Sequence, residues 1–191
     1  MPEWILASAS PRRKEILTRL GLTFRVDPSN IQEPARKPKE PCSRYVVRLA
    51  RMKARETGRK YDSAMVIGAD TIVVLDDRLL GKPVSRDDAK NMLFMLGGHW
   101  HEVVSGICIL NSQTGHSKSN FSISRVHFRP LPLRDIEWYL ETGEYRDKAG
   151  AYAIQGYASL FIDRIEGCYF NIVGFPVSAF EALCRKSAIR R

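Results

Sequence analysis

Three short segments carry residues whose types and spacing suit phosphate chemistry. The first is Ser8-Ala9-Ser10-Pro11-Arg12-Arg13, where an apolar run ends and a helical pattern opens. Ser10 is a favoured N-cap residue and Pro11 suits the first helical position. A helix N-terminus offers unpaired N–H groups and a partial positive charge, which attract an anion. Two arginines in that first turn oppose the helix dipole unless an anion compensates them. Arg13 also stands in register with Ile16, Leu17 and Leu20 at i, i+3, i+4, i+7, so it continues the buried stripe. The alternative is an arginine snorkelling past the core edge. The second segment is Gly68-Ala69-Asp70-Thr71, between the apolar runs 64–67 and 72–75. A carboxylate at the tip of a buried strand is costly unless paired, hydrogen-bonded or metal-bound. It can cap a turn, hold a divalent cation or act as a general base. The third is Ala149-Gly150 through Ile154-Gln155-Gly156, a glycine-rich stretch whose Gln155 amide can read a base edge, or which is an ordinary loop.

Two lysines join this set. Lys53 lies in line with Val46, Leu49 and Ala50 on one helical face. Lys82, in Leu80-Gly81-Lys82-Pro83, ends a hairpin that starts beside Asp70, and the hairpin is expected to bring the two close.

The elements that must position these residues follow from periodicity and punctuation. Strands are predicted over 3–8 and 23–27, with a helix over 11–20 ending at Gly21. A proline-containing loop from Gln32 to Cys42 leads to a helix over 43–57, capped by Ser43 and closed by Gly58. A buried strand over 64–69 precedes a hairpin over 71–82 that turns at Asp76-Asp77. A helix over 86–96 starts from a capping box of Ser85 and Asp88 and stops at Gly97-Gly98. Strands over 101–110 and 117–129 flank the turn Asn111–Gly115, and a helix follows over 133–142. Strands over 159–165 and 168–173 join at Glu166-Gly167, and a last helix begins after Pro176. Helices alternating with strands, together with hairpins, predict a mixed-sheet α/β or α+β fold with the ligand in a cleft between two lobes.

Composition excludes several classes. The chain has 191 residues, enough to bury about 70% of its unfolded surface. Its four cysteines and four histidines show no CxxC or HExxH spacing, and P-loop, Rossmann and GxSxG signatures are missing. No stretch approaches the roughly 18 apolar residues of a membrane span, and the first residues do not read as a signal peptide, so the cytoplasm is the expected location. The formal net charge of +9 is compatible with nucleic acid or with a small polyanion. Much of the excess is dispersed or sits in a basic tail (Arg185, Lys186, Arg190, Arg191), and the distinctive basic residues fall beside an acid. A polyanion pocket, without nucleic acid or membrane as partner, is the expectation.

Taken together, Ser8-x-Ser10-Pro11-Arg12-Arg13, the Lys53 helix, Gly68-Ala69-Asp70-Thr71, Gly81-Lys82-Pro83 and Asp147-Lys148-Ala149-Gly150 through Ile154-Gln155-Gly156 resemble the Maf family of nucleotide pyrophosphatases. The resemblance runs from Ile5 to about Leu183 and treats the whole chain, 1–191, as one Maf-like domain. It implies a mixed twisted sheet with flanking helices, two lobes around a cleft, of the inosine-triphosphate-pyrophosphatase type, and a homodimer. Arg12, Thr71 and Ile154-Gln155-Gly156 look like the branch that hydrolyses dTTP and UTP. Position by position, the resemblance implies Asp70 as the base that activates water. Asp70 with Glu33 would hold Mg²⁺ or Mn²⁺. Arg13, Lys53 and Lys82 would neutralise the triphosphate. Ser8 would hydrogen-bond it, and Arg12, Thr71 and Gln155 would position the base. The competing expectation is a nucleotide-binding regulator of cell division without catalysis.

Overall fold

The computed structural model describes residues 2–186 and consists of a seven-stranded mixed sheet with flanking helices. The sheet order is β2 (Arg25–Val26), β1 (Glu3–Leu6), β3 (Ala64–Leu75), β5 (Trp100–Asn111), β6 (Ser117–Phe128) and β7 (Ile162–Glu166), with β4 (Arg78–Leu80) paired to β3. Strand β1 runs parallel to both β2 and β3, in the register Ile5↔Arg25 and Ile5↔Val66. Pairs β3–β4 and β6–β7 are antiparallel. The helices are α1 (Pro11–Arg19), α2 (Cys42–Gly58), α3 (Arg86–Leu96), α4 (Leu133–Glu141), α5 (Tyr169–Val173) and α6 (Val177–Lys186). No helix of the described residues is long and apolar enough to cross a membrane.

The chain divides into two compact units. Unit 1 comprises 1–71, 105–122 and 174–191, and unit 2 comprises 72–104 and 123–173. In unit 1, Ile5, Ala50, Ala54, Val66 and Cys108 form an apolar core between α2 and the sheet. Two glycines set how closely α2 lies. A Cβ on Gly68 would stand 2.1 Å from the Ala50 carbonyl oxygen, and one on Gly106 would stand 2.4 Å from the Val46 carbonyl carbon. The helix backbone therefore rests on β3 and β5 with no side chain between. In unit 2, Leu93, Leu96, Phe128, Tyr139 and Phe161 are among the core residues. Ser85 caps α3 by accepting from the Asp88 N–H at 3.0 Å, while Asp88 accepts from the Val84 N–H at 2.9 Å.

Several expectations change. Residues 64–75 form one strand of 12 residues, so Asp70 lies inside β3 and not at its tip. Ser43 is not the cap of α2. Pro41 stands there, and the helix runs through Gly58 to a C-cap at Arg59. Residues 169–173 are helical, not a strand. The helical turn lets the fully buried Asn171 donate to the Val103 carbonyl at 2.9 Å and to Ser124 Oγ at 3.0 Å, while Tyr169 and Phe170 stay exposed. A 3₁₀ segment, Tyr157–Phe161, precedes β7 and takes the first part of the predicted strand over 159–165. Within the basic tail, Arg185 pairs with Glu181, the Lys186 side chain is not described, and Arg190 and Arg191 lie outside the described residues.

Candidate active site

Unit 1 gathers seven of the nine candidate residues. Ser10 occupies the N-cap of α1 with extended backbone, yet its side chain makes no cap bond. Instead the Ser10 N–H donates to Ser8 Oγ at 3.3 Å. The first turn of α1 thus keeps N–H groups for which the helix supplies no acceptor, and it contains no acid. The two arginines of that turn differ sharply. Arg13 is buried and its guanidinium is committed. Nε donates to the Gly174 carbonyl (2.9 Å), Nη1 to Ser8 Oγ (2.9 Å) and the Ala69 carbonyl (2.9 Å), and Nη2 to Thr71 Oγ1 (3.2 Å). It fastens the Ser8 turn, β3 and the start of the C-terminal segment together. Arg12 is half-buried, and no hydrogen bond or ion pair holds its guanidinium among the described residues, so its donors are available to an anion. Burial pushes the pKa of both arginines down; for Arg13, Asp70 pulls the other way.

Asp70 is 6% exposed. Its Oδ1 accepts from Lys53 Nζ at 2.5 Å, and the same ammonium meets Glu33 Oε1 at 2.6 Å. Lys53 therefore bridges two carboxylates. The Glu33 loop is held for this by Arg48 of α2, which donates to both oxygens of Glu40 (2.8 and 2.7 Å) and to the Ala35 carbonyl, while Tyr45 donates to the Pro34 carbonyl. Arg48 keeps Glu40 at a pKa of about 2. Burial pushes Asp70 above the ordinary carboxylate range, against the pull of Lys53 and Arg13. Two opposed influences thus act on one carboxyl: desolvation favours its neutral form, and the neighbouring cations favour the carboxylate.

Thr71 is engaged from three sides, by Arg13, by Ser105 Oγ at 2.8 Å and by the Gly174 carbonyl at 3.2 Å. Ser105 and Gly174 were not singled out from sequence. Ser105 carried a signal of the same kind as Asp70, a polar residue inside the apolar run Val103-Val104-Ser105-Gly106-Ile107.

Lys82 and Gln155 belong to unit 2. Lys82 is exposed and lies 4.0 Å from Asp147, also exposed. The Gly150 N–H donates to the Gly81 carbonyl at 3.0 Å, which ties the lysine's segment to the glycine-rich stretch. Gln155 is exposed and its amide has no hydrogen-bond partner among the described residues. Its loop is clamped by Glu144, a residue the sequence reading passed over. Glu144 accepts from the Tyr157 and Ala158 N–H groups at 2.8 and 3.3 Å and from Tyr139 OH at 3.0 Å. Gly156 is required beside it, because a Cβ would fall 1.8 Å from Glu144 Oε2.

Among the described residues no group of three or more His, Cys, Asp or Glu is placed to hold a metal alone. Asp70 and Glu33 are hard oxygen donors of the kind a divalent cation takes, and in this structure both face the Lys53 ammonium. Mg²⁺ commonly binds one or two carboxylates and completes its shell with water and substrate phosphates.

A family model described as Maf-like protein matches residues 3–187. The chain belongs to the Maf-like family. This Maf-like chain is 47% identical over 174 residues to a protein of Desulforamulus reducens named dTTP/UTP pyrophosphatase, covering 91% of each. It is 47% identical over 188 residues to a protein of the same name from Thermoanaerobacter sp. strain X514, covering 97% of each. Among solved structures it is similar to a HAM1 protein from Coxiella burnetii, with a TM-score of 0.51 at 14% identity over the whole of both chains. That last likeness is one of fold, and it agrees with the Maf-like mixed sheet and its flanking helices.

Proposed function

We propose that this chain hydrolyses dTTP and UTP to the monophosphate and pyrophosphate. The observation that carries the reading is Lys53 bridging the buried Asp70 and the exposed Glu33. The relatives' shared name supplies the substrate class. Asp70 takes a proton from a water whose oxygen bonds to the α-phosphorus; the bond from that phosphorus to the α–β bridging oxygen breaks, and pyrophosphate leaves. Lys53 keeps Asp70 ionised before the transfer. Arg12 and the uncapped start of α1 donate to phosphate oxygens, and Ser8 and Arg13 hold that turn in shape. The family resemblance assigns Lys82 to the charge of the leaving pyrophosphate, and Gln155 and Thr71 to the base. Such catalysis is mostly positioning and charge stabilisation. A divalent ion, Mg²⁺ or Mn²⁺, held by Asp70 and Glu33, would supply further charge against the triphosphate when bound. Two more parts complete the reading: a homodimer, which the family resemblance implies, and the cytoplasmic location expected from the sequence.

The test is pyrophosphate release from a panel of canonical and modified triphosphates, with Mg²⁺ or Mn²⁺, for wild type and Asp70→Asn. Removing a catalytic base costs about 10²–10⁴-fold in rate. Release from dTTP or UTP that falls by that factor in a folded Asp70→Asn supports the assignment. Wild-type turnover in Asp70→Asn overturns Asp70 as the base. Silence across the panel with nucleotide still bound overturns catalysis and leaves the regulator.

A further inference from the structure

Four arginines of α2, Arg44, Arg48, Arg51 and Arg55, recur at i, i+4, i+7 and i+11 and form a stripe on one face of that helix. At 1.5 Å per residue the stripe is about 16 Å long. It lines a groove of about 610 Å³ in unit 1, opposite Ser119 and Phe121 of β6. None of the described residues lining the groove is acidic. Arg48 pairs with Glu40, but Arg44, Arg51 and Arg55 are exposed and make no ion pair among the described residues; Arg51 donates only to Ser119 Oγ, at 2.8 Å. Two other helix arginines are balanced at i, i+4, in Glu15–Arg19 of α1 and Glu181–Arg185 of α6. Arg44 moreover sits in a first turn with no acid, where the helix dipole disfavours a cation. Phe121 is 46% exposed beside these cations.

We infer that this groove binds single-stranded nucleic acid, with the phosphodiester backbone along the arginine stripe and a base stacked on Phe121. A regular polyanion matches cations repeated over about 16 Å, whereas a mononucleotide triphosphate spans only part of the stripe. An exposed aromatic among arginines is the platform on which unpaired bases stack, and a paired duplex hides those faces. An acidic peptide would satisfy the arginines and leave Phe121 without a role. The stripe revises the sequence-based expectation of no nucleic acid, which rested on basic residues clustering beside Asp70. It is independent of the proposed hydrolysis, because none of these residues bonds to Asp70, Lys53 or Glu33 among the described residues, and Arg48, which holds the Glu33 loop through Glu40 and Ala35, is left intact by the test.

The test is fluorescence anisotropy with 5′-labelled 12-mers of oligodeoxyadenylate and oligoadenylate, on the full chain between 50 and 200 mM NaCl. Three unpaired arginines predict a salt slope of about −2, hence a loss of about 20-fold in affinity across that range. Arg44→Gln/Arg51→Gln/Arg55→Gln should weaken binding at least tenfold and flatten the slope. Phe121→Ala should weaken it at least fivefold with the slope kept. Both variants should melt as wild type does and release pyrophosphate at its rate; single Arg→Gln variants, each flattening the slope in part, serve if the triple variant fails to fold. Whichever 12-mer binds tighter tells RNA from DNA as the ligand. Four results would overturn the inference: no saturable binding at 50 mM salt; binding indifferent to both variants; equal binding of a duplex 12-mer; or displacement by a mononucleotide triphosphate. Loss of a dimer in the triple variant would instead assign the face to a second copy of the chain, and so also overturn it.

Discussion

Gly68→Ala tests whether close packing of α2 on β3 is what sets the Lys53–Asp70 contact. The added Cβ would stand 2.1 Å from the Ala50 carbonyl oxygen and 2.8 Å from the Ala54 nitrogen, both backbone atoms with no rotamer to change. Relief to an ordinary contact needs the helix to retreat by about 1.3 Å. Lys53 lies between those two residues in the chain, so it moves with them. Its Nζ now meets Asp70 Oδ1 at 2.5 Å, and a retreat of that size stretches the bond beyond hydrogen-bonding range. Overpacking of this kind costs about 1–3 kcal/mol in stability. Misplacing a catalytic group by about 1 Å can cost on the order of 10²-fold in rate. The assay is pyrophosphate release from dTTP at a temperature where denaturant titration shows the variant folded. A loss of rate near 10²-fold with only a modest loss of stability is expected. Activity and stability both at wild-type levels would refute the idea that this glycine places Lys53.

Lys53→Met removes the cation nearest Asp70, so the carboxyl, already raised by burial, should rise further. The ionised form is the base, so activity is lost as pH falls through that pKa; the acid limb of kcat/KM should move to higher pH, and a uniform drop with an unmoved limb would refute the coupling. His101, 2% exposed and bonded through Nε2 to Tyr152 OH at 2.8 Å, is held by burial at a pKa of about 4. A histidine lowered on folding stays neutral while the unfolded chain protonates, so stability falls as pH drops from about 6.5 to 4, by about 3 kcal/mol. Denaturant titration at pH 7 and 4.5 should show His101→Gln losing less stability on acidification than wild type, and equal losses would refute the assignment.

How much was legible depended on whether local chemistry or tertiary contact made the decision. The Asp76-Asp77 turn and the Ser85 cap are local, and both stand where the sequence put them, the turn with positive φ at both aspartates and the cap with Asp88 returning its bond to Val84 and not to Ser85. Asp70 was found because a carboxylate between apolar runs is anomalous wherever it lies. The same polar pair, Asp70-Thr71, hid the continuity of β3, since an interruption in hydropathy reads as a strand end. Tyr169 to Val173 is rich in β-favouring residues, and its helical turn goes with buried Asn171 bonds to Val103 and Ser124, contacts that no periodicity records.

The arginines show a different limit. Arg13 and Arg12 are neighbours of one type in one turn, and their spacing predicts which is buried but not what burial does. The structure gives Arg13 four protein acceptors and leaves Arg12 its donors. The buried guanidinium is then a tie that shapes the turn, and the half-buried one is the group free to meet phosphate. On α2, attention to the inward face found Lys53, while the outward repeat of Arg44, Arg48, Arg51 and Arg55 was equally present in the sequence. An outward charge stripe has meaning only once its counter-charges are located, and for three of these four arginines the described fold provides no carboxylate. One helix thus carries two cationic faces, one whose lysine is paired with Asp70 and Glu33 and one where three of four arginines have no carboxylate among the described residues, and substitution of those three should leave the chemistry of the first unchanged.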